Sequence, residues 1–391
     1  MTSKRIDIAS GGGDSGELAL LRQIRSRAGR SSGTGLSLGI GDDCALLRPR
    51  PGEELAVTTD LSIAGRHFRL DWHPPESVGH RALARGLSDL AAMGARPVAA
   101  FLSLGLPREL TIGAGRRRAW VDSFLDGLLA LAAAQKTPLA GGDLSESPIA
   151  MADIVLIGGV RQEKALLRSA ARPGHLLYVT GALGGAAAGL AGLAQLAAGR
   201  NIKPSGISGE YTSGAKARVD SVAFAARLKS CPDTNQRFSA TYKAQSGRLH
   251  PPRIPKKLEA LLAPHLYPQP RVAQGLWLVR HGLASAAIDV SDGLSTDLAH
   301  LCEESGVAAE VEADLVPICP GATLAQALNG GEDYELLFTA PAGSRLPRSI
   351  AGVAITRIGR ITKSRAGQAD VTLCTPQGSQ LLKPQGWEHF S

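Results

Sequence analysis

The chain of 391 residues is 44% hydrophobic and 20% charged, a balance that argues against a disordered or fibrous protein and allows two domains. No apolar run reaches the ~18–20 residues of a membrane helix, and five scattered cysteines without a CxxC pair argue against a disulfide framework, so we expect a cytoplasmic protein. The formal charge of +8 resides in residues 200–260, where twelve Lys or Arg accompany four Asp or Glu, and it says little about the remaining chain.

The first part of the chain alternates helical and β-prone segments. Residues 1–16 lack the apolar core of a signal peptide and are predicted to form a flexible leader. Helices are predicted over 17–28, 76–95 and 115–136, and strands in LSLGI, ELAVTTDLSI, VAAFLSLGLP and IVLIGGVR. The acidic motifs GDD and TTD are expected where strands end, and PLAGGDLSES is expected to be a loop. This alternation predicts an α/β or α+β domain over 17–165.

A second α/β unit is predicted over 166–391. It opens with a strand, a Gly-rich turn and a helix of small residues in HLLYVTGALGGAAAGLAGLAQLAAG. The segment GALGGAAAG lacks the acidic residue ~20 positions later that a dinucleotide site needs, so we interpret it as a closely packed helix. Residues 201–255 mix Gly, Ser, Pro and basic residues and are predicted to be a loop-like insertion. Helix, strand, turn and helix then follow from KKLEALLAPHL to DVSDGLSTDL.

Carboxylates recur in the five short motifs GDD, TTD, LSD, GGD and DVSDG. Magnesium takes few protein oxygen ligands for each ion, and these can come from distant segments. If the motifs converge, they would form a cation site able to neutralise a triphosphate, although each one alone is more often an ordinary turn. Asp89 differs because it lies in an apolar helical run, where a buried carboxylate needs a partner. That partner is either a metal ion or the N-terminus of the helical segment that follows.

Other common catalytic signatures are missing from the sequence. It contains no Walker loop, no protein-kinase motif set, no G-x-S-x-G and no HExxH, so hydrolase readings have little support. His67, in the segment RHF, either contacts a phosphate or substrate or is simply a packed histidine.

Eight motifs, taken in chain order, resemble those of the thiamine-monophosphate kinase family. They are LGIGDDCALL, TTDLSIAGRHF, LSDLAAMGARP, AGGDLSES, LRSAARPGHLLYVTG, AAIDVSDGLSTDL, GGEDYELLFT and the terminal WEHF. The resemblance covers about residues 17–198 and 256–391. It implies the two-domain α/β (α+β) fold of the aminoimidazole-ribonucleotide synthetase-like superfamily, with an N-terminal domain that dimerises through its sheet and a C-terminal α/β domain. It also implies ATP use without a Walker loop, through aspartate-held Mg²⁺ at a homodimer interface.

The resemblance implies roles position by position. The implied reaction is direct in-line transfer of the ATP γ-phosphoryl group to thiamine monophosphate, assisted by several Mg²⁺ ions and without a covalent catalytic residue. The implied metal-binding residues are Asp43, Thr58, Thr59, Asp60, Asp89, Asp143, Asp289 and Asp292. The implied ATP contacts are Gly142, Asp143, Arg168 and Ser291, and the implied substrate contacts are His67 and Glu332, with Trp387 as a further candidate.

The sequence departs from the family pattern at two places and leaves two alternatives open. Pro384 occupies the position of a C-terminal aromatic residue, for which Trp387 could substitute, and Gly86, in the helix that leads to LSD, stands where the family commonly has Asn. One alternative is another ATP-using enzyme of the superfamily with a different substrate, against which RHF and GGEDYE argue. The other is a nucleic-acid or acidic-partner binding protein that uses residues 200–260, although basic loops are more often simply solvated. Aromatic residues among these basic positions are Tyr211, Phe224, Phe238 and Tyr242.

Overall fold

The structure, a computed structural model, describes residues 17–28, 35–113, 118–199, 251–364 and 369–386. The predicted leader, most of the predicted insertion and Trp387 therefore lie outside the described residues. Within the described ranges, the search for a helix of sufficient length and hydropathy to cross a bilayer finds none.

The first half of the chain forms a four-stranded sheet with helices on one face. The strands run in the order β3-β6-β4-β5, with β4 and β5 parallel and the other pairs antiparallel. A small separate hairpin of β1 and β2 precedes them. The elements are α1 Glu17–Ala28, β1 Leu36–Leu38, β2 Leu46–Leu47, β3 Glu53–Ile63, α2 Pro75–Ala92, β4 Arg96–Leu106, a 3-10 turn at Arg108–Leu110, α3 Trp120–Ala134, β5 Leu139–Glu146 and β6 Met151–Arg161.

The second half forms a larger mixed sheet in the order β14-β13-β9-β12-β7-β10-β8, with β11 paired to β12. The pair of β13 and β9 is parallel and the others are antiparallel. The helices and strands are α4 Gly185–Ala197, α5 Lys256–Leu266, α6 Val272–His281, α7 Leu294–Ser305, α8 Leu324–Asn329, β7 Leu176–Thr180, β8 Ala286–Asp289, β9 Val307–Glu312, β10 Leu336–Ala340, β11 Ser349–Ile350, β12 Val353–Lys363, β13 Val371–Thr375 and β14 Gly378–Leu381. Two 3-10 turns lie at Arg168–Ala170 and Ala313–Leu315.

Helix α2 is the element that both halves share. Its apolar positions Leu83, Leu87 and Leu90 follow helical spacing and are almost completely buried. The helix packs against β3, β6 and α3 of the first half and against α6 and β8 of the second half. Polar side chains on α2 can therefore meet residues from either half of the chain.

The small-residue helix α4 packs closely on α5, as the sequence predicted. A Cβ atom added at Gly189 would lie 2.8 Å from the Cβ atom of His265 on α5. Bulkier residues on α4 would separate the two helices. The close approach fixes the position of α5 and of His265.

Most of the predicted helices and strands are confirmed, and so is the mixed α/β class, but two predictions were wrong. Thr58, Thr59 and Asp60 lie in the middle of the 11-residue strand β3, because β-branched residues favour continued pairing with β6. GGD lies within strand β5 rather than in a loop. Gly86 lies inside α2, against Leu156 and Thr58, within the helix predicted over 76–95. The two sheets divide the chain between β6 and β7, and the predicted domain boundary at 165/166 stays a prediction.

Candidate active site

Helix α2 carries a polar stripe of Arg81, Arg85 and Asp89. Residues four apart lie on the same side of an α-helix, so these three side chains follow one another over about 12 Å. Each contacts a residue of another element: Arg81 contacts Glu332, Arg85 contacts Asp60, and Asp89 accepts a hydrogen bond from the Thr58 hydroxyl group. We refer to Arg81, Arg85 and Asp89 as the α2 stripe.

Three carboxylates lie near the Asp89 end of the α2 stripe, close enough for the charge of Asp89 to act on the other two, and we call Asp60, Asp89 and Asp289 the acidic cluster. Asp60 comes from β3, and Asp289 is the last residue of β8 in the second half of the chain. The hydroxyl group of Ser88 donates to Asp289 Oδ2 over 2.7 Å. Arg168 lies near enough for its charge to favour the ionised forms of Asp89 and Asp289. The structure thus brings together four residues that the resemblance had implied in separate motifs.

Burial raises the pKa of each carboxyl group in the acidic cluster. Loss of water contributes most, and it raises the pKa of Asp60 to about 6 and that of Asp289 to about 7. The charge of Asp89 acts in the same direction on both. The pKa of Asp89 is also raised, chiefly by burial, while its bond from Thr58 and the charge of Arg168 oppose the rise. Carboxylates that repel one another in a site partly shielded from water favour a bound cation.

Ser291 and Asp292 lie in the turn that follows β8. The carboxylate of Asp297, in the first turn of α7, accepts backbone N–H bonds of 3.0 Å from Ser291, Asp292 and Gly293. Asp297 therefore fixes the turn beside the acidic cluster. Asp297 was not predicted as a site residue, although an acidic residue in the first turn of a helix that follows a Gly is a recognisable signal.

The segment GGEDYE lies directly against this turn. The backbone N–H of Glu332 donates to the Ser291 carbonyl oxygen over 2.8 Å, and Cβ at Gly331 would lie 2.4 Å from that oxygen. Glu332 and Tyr334 both have left-handed backbone conformations, with φ of 67° and 51°. Such a conformation in residues other than glycine persists only where the surroundings impose it.

The other two acids of GGEDYE anchor the segment. Asp333 accepts N–H bonds from Gly184 and Ala186 at the start of α4, over 2.6 and 3.0 Å. Glu335 is buried and accepts from Thr180 and from the guanidinium group of Arg271, each over 2.6 Å. These two acids therefore stabilise the fold, whereas the third, Glu332, points toward α2.

Glu332 lies in a network that joins the two halves of the chain. Its carboxylate contacts Arg81 over 2.5 Å and His265 Nδ1 over 3.4 Å, and His265 Nε2 lies 3.0 Å from His73 Nε2. Burial would raise the pKa of Glu332, but Arg81 and His265 outweigh it and hold the pKa well below its usual range. Glu332 is therefore a fixed negative charge. No pattern in the sequence indicated His73 or His265, whereas the spacing of Arg81, Arg85 and Asp89 was visible in it.

His67 lies beside the α2 stripe. Its Nδ1 accepts from the backbone N–H of Ile63 over 3.0 Å, and its carbonyl oxygen accepts from Arg81 over 3.2 Å. A small pocket opens next to it. The residues that line this pocket are Ser62, His67, Phe68, Val78, Arg81 and Arg85.

Other residues implied by the resemblance lie away from the acidic cluster. Neighbouring strand residues face opposite sides of a sheet, so Thr59 lies on the outer face, away from α2, and donates to Asp153 over 3.0 Å. Asp143 is exposed and shares this outer face, because Asp143, Ser103 and Asp153 are in register across β5, β4 and β6.

Gly142 and Asp43 are also placed outside the acidic cluster, and Trp387 is not among the described residues. Gly142 precedes Asp143 in β5, and Asp43 lies between β1 and β2, where its backbone N–H donates to Asp42. Within the described ranges, no group of three or more His, Cys, Asp or Glu side chains is arranged to hold a metal ion. Magnesium sites in phosphoryl-transfer enzymes typically use one or two carboxylates together with substrate phosphates and water, so the hard oxygen ligands of the acidic cluster fit this ion.

Comparisons with known proteins identify the family of the chain. The family model "AIR synthase related protein, N-terminal domain" matches residues 41–160. Thiamine-monophosphate kinase of Escherichia coli strain K12 is 35% identical over 390 residues, which cover 96% of this chain and 98% of that protein. The chain belongs to the thiamine-monophosphate kinase family. The resemblance inferred from the eight motifs is thereby confirmed.

Solved structures of this family are similar over most of the chain. Thiamine-monophosphate kinase from Stenotrophomonas maltophilia K279a is 34% identical with a TM-score of 0.64, covering 90% of this chain and 97% of that one. The structure of AaThiL complexed with AMPPCP and TMP is 26% identical with a TM-score of 0.63, covering 96% and 97%. The similarity extends across both sheets.

Proposed function

We propose that this chain transfers the γ-phosphoryl group of ATP to the phosphate of thiamine monophosphate, giving thiamine diphosphate and ADP. This would be the last step of thiamine diphosphate biosynthesis. Support comes from membership of the thiamine-monophosphate kinase family and from AaThiL, which binds AMPPCP and TMP. The observation that carries the proposal is the acidic cluster beside the α2 stripe, because it sets carboxylates and arginines from both halves of the chain together.

The chemistry of the acceptor suits a site of this composition. A phosphate acceptor is already ionised, so no strong general base is required, and catalysis depends on positioning and charge neutralisation. Arg168, beside Asp89 and Asp289, would bind nucleotide phosphates by charge-assisted hydrogen bonds. Glu332, held by Arg81 and His265, would contact the acceptor.

The residues that would hold Mg²⁺ are those of the acidic cluster and Asp292 in the adjoining turn. When bound, the metal would neutralise charge between the two anionic substrates. Thr58 orients Asp89 through its hydroxyl group, and Ser88 orients Asp289. Asp297 holds the backbone of Ser291 and Asp292. We retain Asp43, Thr59, Asp143 and Gly142 as proposed metal or nucleotide contacts that lie on other surfaces of the same domain.

An ADP-release assay tests this function. Thiamine monophosphate, free thiamine and no acceptor are each supplied with ATP, with and without Mg²⁺, and the thiamine product is identified by chromatography. We expect ADP release and thiamine diphosphate only with thiamine monophosphate and Mg²⁺ together. Turnover of free thiamine but not its monophosphate would contradict the assignment. Inactivity with both, in a protein that binds ATP, would favour another substrate within the superfamily.

We also propose that the chain forms a homodimer through the outer face of the first sheet. On β3, Leu55, Val57 and Leu61 are 47%, 63% and 44% exposed on this face, and Val155 and Ile157 of β6 continue it in register. A contiguous exposed apolar surface of this kind marks an interaction site. A second copy of the chain would cover this apolar surface. It would also cover Thr59 and Asp143, which lie on the same face and outside the acidic cluster of one chain. This agrees with the dimer that the family resemblance implies.

Replacing Val57 by aspartate is expected to separate the dimer, because a charge would then be buried at the interface. Val57 is exposed in the single chain, so the fold should tolerate the change. Sedimentation velocity measures the oligomeric state, and Leu381→Asp, which alters an equally exposed apolar residue of β14, is the matched control. A wild-type chain that sediments as a monomer, or a V57D variant that stays dimeric, would refute this interface.

A further inference from the structure

Arg85, in the middle of the α2 stripe, has long contacts for a guanidinium group that is largely shielded from water. Its side chain is 17% exposed. Within the described residues it makes two polar contacts, both long: 3.3 Å to Asp60 Oδ1 and 3.5 Å to the Ser62 hydroxyl group. A guanidinium group has five N–H donors, and a settled pair with a carboxylate lies at about 2.7–2.9 Å.

Among the described residues, two other arginines of similar or greater burial have shorter ion pairs than Arg85. Arg96 is 18% exposed and pairs with Glu53 over 2.8 Å. Arg81 is engaged on both sides, by Glu332 over 2.5 Å and by the His67 carbonyl oxygen over 3.2 Å. No side-chain nitrogen of Arg85 is both buried and without a hydrogen-bond partner, so the donors that Arg85 leaves unused are open to solvent or to a ligand. An acceptor for these donors would come from a ligand that Arg85 can reach.

The pocket beside His67 is the place that Arg85 reaches. Arg81 and Arg85 both line it, and Phe68 and Val78 close its apolar side. Its enclosed space is about that of one water molecule. That is also about the size of one phosphate oxygen, so the pocket would receive one oxygen while the rest of the phosphate stays outside it.

The position of Arg85 along the α2 stripe fits an acceptor phosphate. On one side Arg85 contacts Asp60 of the acidic cluster, and on the other it lines the pocket of His67. An anion bound to its spare donors would therefore lie next to the cluster where the transferred group is held. We propose that Arg85 binds an oxygen of the acceptor's phosphomonoester and so selects a phosphorylated acceptor; this rests on the proposed function. Arg85 is then a substrate-binding residue, and Asp60 holds it in place between turnovers.

Kinetics of Arg85→Gln and Arg85→Lys test this assignment. We expect Arg85→Gln to raise KM for thiamine monophosphate about 10- to 50-fold, the size of a lost charge-assisted contact, with KM for ATP changed less than about twofold. Arg85→Lys should recover only part of the loss, since an ammonium group lacks the planar fork. Arg96→Gln, equally buried and paired with Glu53, is the matched control and should leave both KM values unchanged.

Three results would overturn the assignment of Arg85. These are an unchanged KM for thiamine monophosphate in both variants, an equal rise in KM for ATP, or a defect that added Mg²⁺ alone reverses. The last would mean that Arg85 only balances the charge of Asp60. Thermal melting checks that the variants fold, and Arg85→Lys preserves the test if Arg85→Gln does not. A wild-type protein inactive with thiamine monophosphate would contradict the proposed function itself, whereas an active wild type with unaffected variants would contradict only this inference.

Discussion

Asp60→Asn is expected to lower turnover by about 10²–10³-fold, because an amide cannot supply the charge that holds a metal ion against two anionic substrates. The melting temperature should change by no more than about 2 °C. Asn relieves the burial and repulsion that raise the pKa of Asp60 to about 6, and it loses only the long contact of 3.3 Å to Arg85. The relief of burial and the loss of the Arg85 contact therefore act on stability in opposite directions and with similar size. Turnover has no such compensation, so it only falls.

Steady-state kinetics and thermal melting, each with saturating Mg²⁺, measure this difference. Asp71→Asn is the matched control, since Asp71 pairs with Arg69 at the surface, and its turnover should equal that of the wild type. Unchanged turnover in Asp60→Asn would mean that Asp60 is not a metal ligand. A large fall in melting temperature would show instead that Asp60 supports the fold.

Asp289→Asn is expected to stabilise the metal-free protein at pH 8 and to abolish most turnover. The pKa of Asp289 rises from an ordinary 3.8 to about 7 in the folded chain, chiefly through burial. Between these pH values the folded state binds the proton more tightly than the unfolded chain does, so stability falls as pH rises from about 4 to about 7. Asparagine does not titrate, so the variant does not lose stability in this way as pH rises. Its side-chain oxygen can still accept a hydrogen bond from Ser88.

Melting curves from pH 5 to pH 8 in the presence of a chelator test this pH dependence. The gain of Asp289→Asn over the wild type should grow with pH and reach several degrees at pH 8, since about 1–3 kcal/mol is involved. Asp314→Asn, at an exposed site, is the control and should follow the wild-type curve. Parallel curves for wild type and Asp289→Asn would show that Asp289 does not titrate in this range.

Parts of the candidate site were predictable from the sequence because they depend on local spacing. Asp89 was expected in a helix, and α2 contains it; its alternative role as an N-cap is wrong, since fourteen residues of α2 precede it. The DVSDG turn and its following helix were also expected, and β8 and α7 confirm them. Periodicity and turn residues decide such features within one segment.

Other parts of the site were not predictable because their partners are far apart in the chain. Arg81 meets Glu332 across 251 positions, and His73 meets His265 across 192. TTD was expected at the end of a strand. It lies instead inside β3, so its three residues are divided between the two faces of the sheet. Thr58 and Asp60 face α2, whereas Thr59 faces outward. The alternative role for residues 200–260 in binding nucleic acid stays untested, since residues 200–250 lie outside the described part.

The sequence by itself determined the family, the order of the main helices and strands, and the concentration of positive charge in one segment. These follow from residue order, periodicity and composition, which need no partner in space. Only the tertiary structure decided which acids share a site. It assembles Asp60, Asp89 and Asp289 around α2, turns Asp143 outward, and leaves Arg85 with spare donors beside a pocket. Burial and charge act through space, and the packing of both sheets against α2 sets those distances.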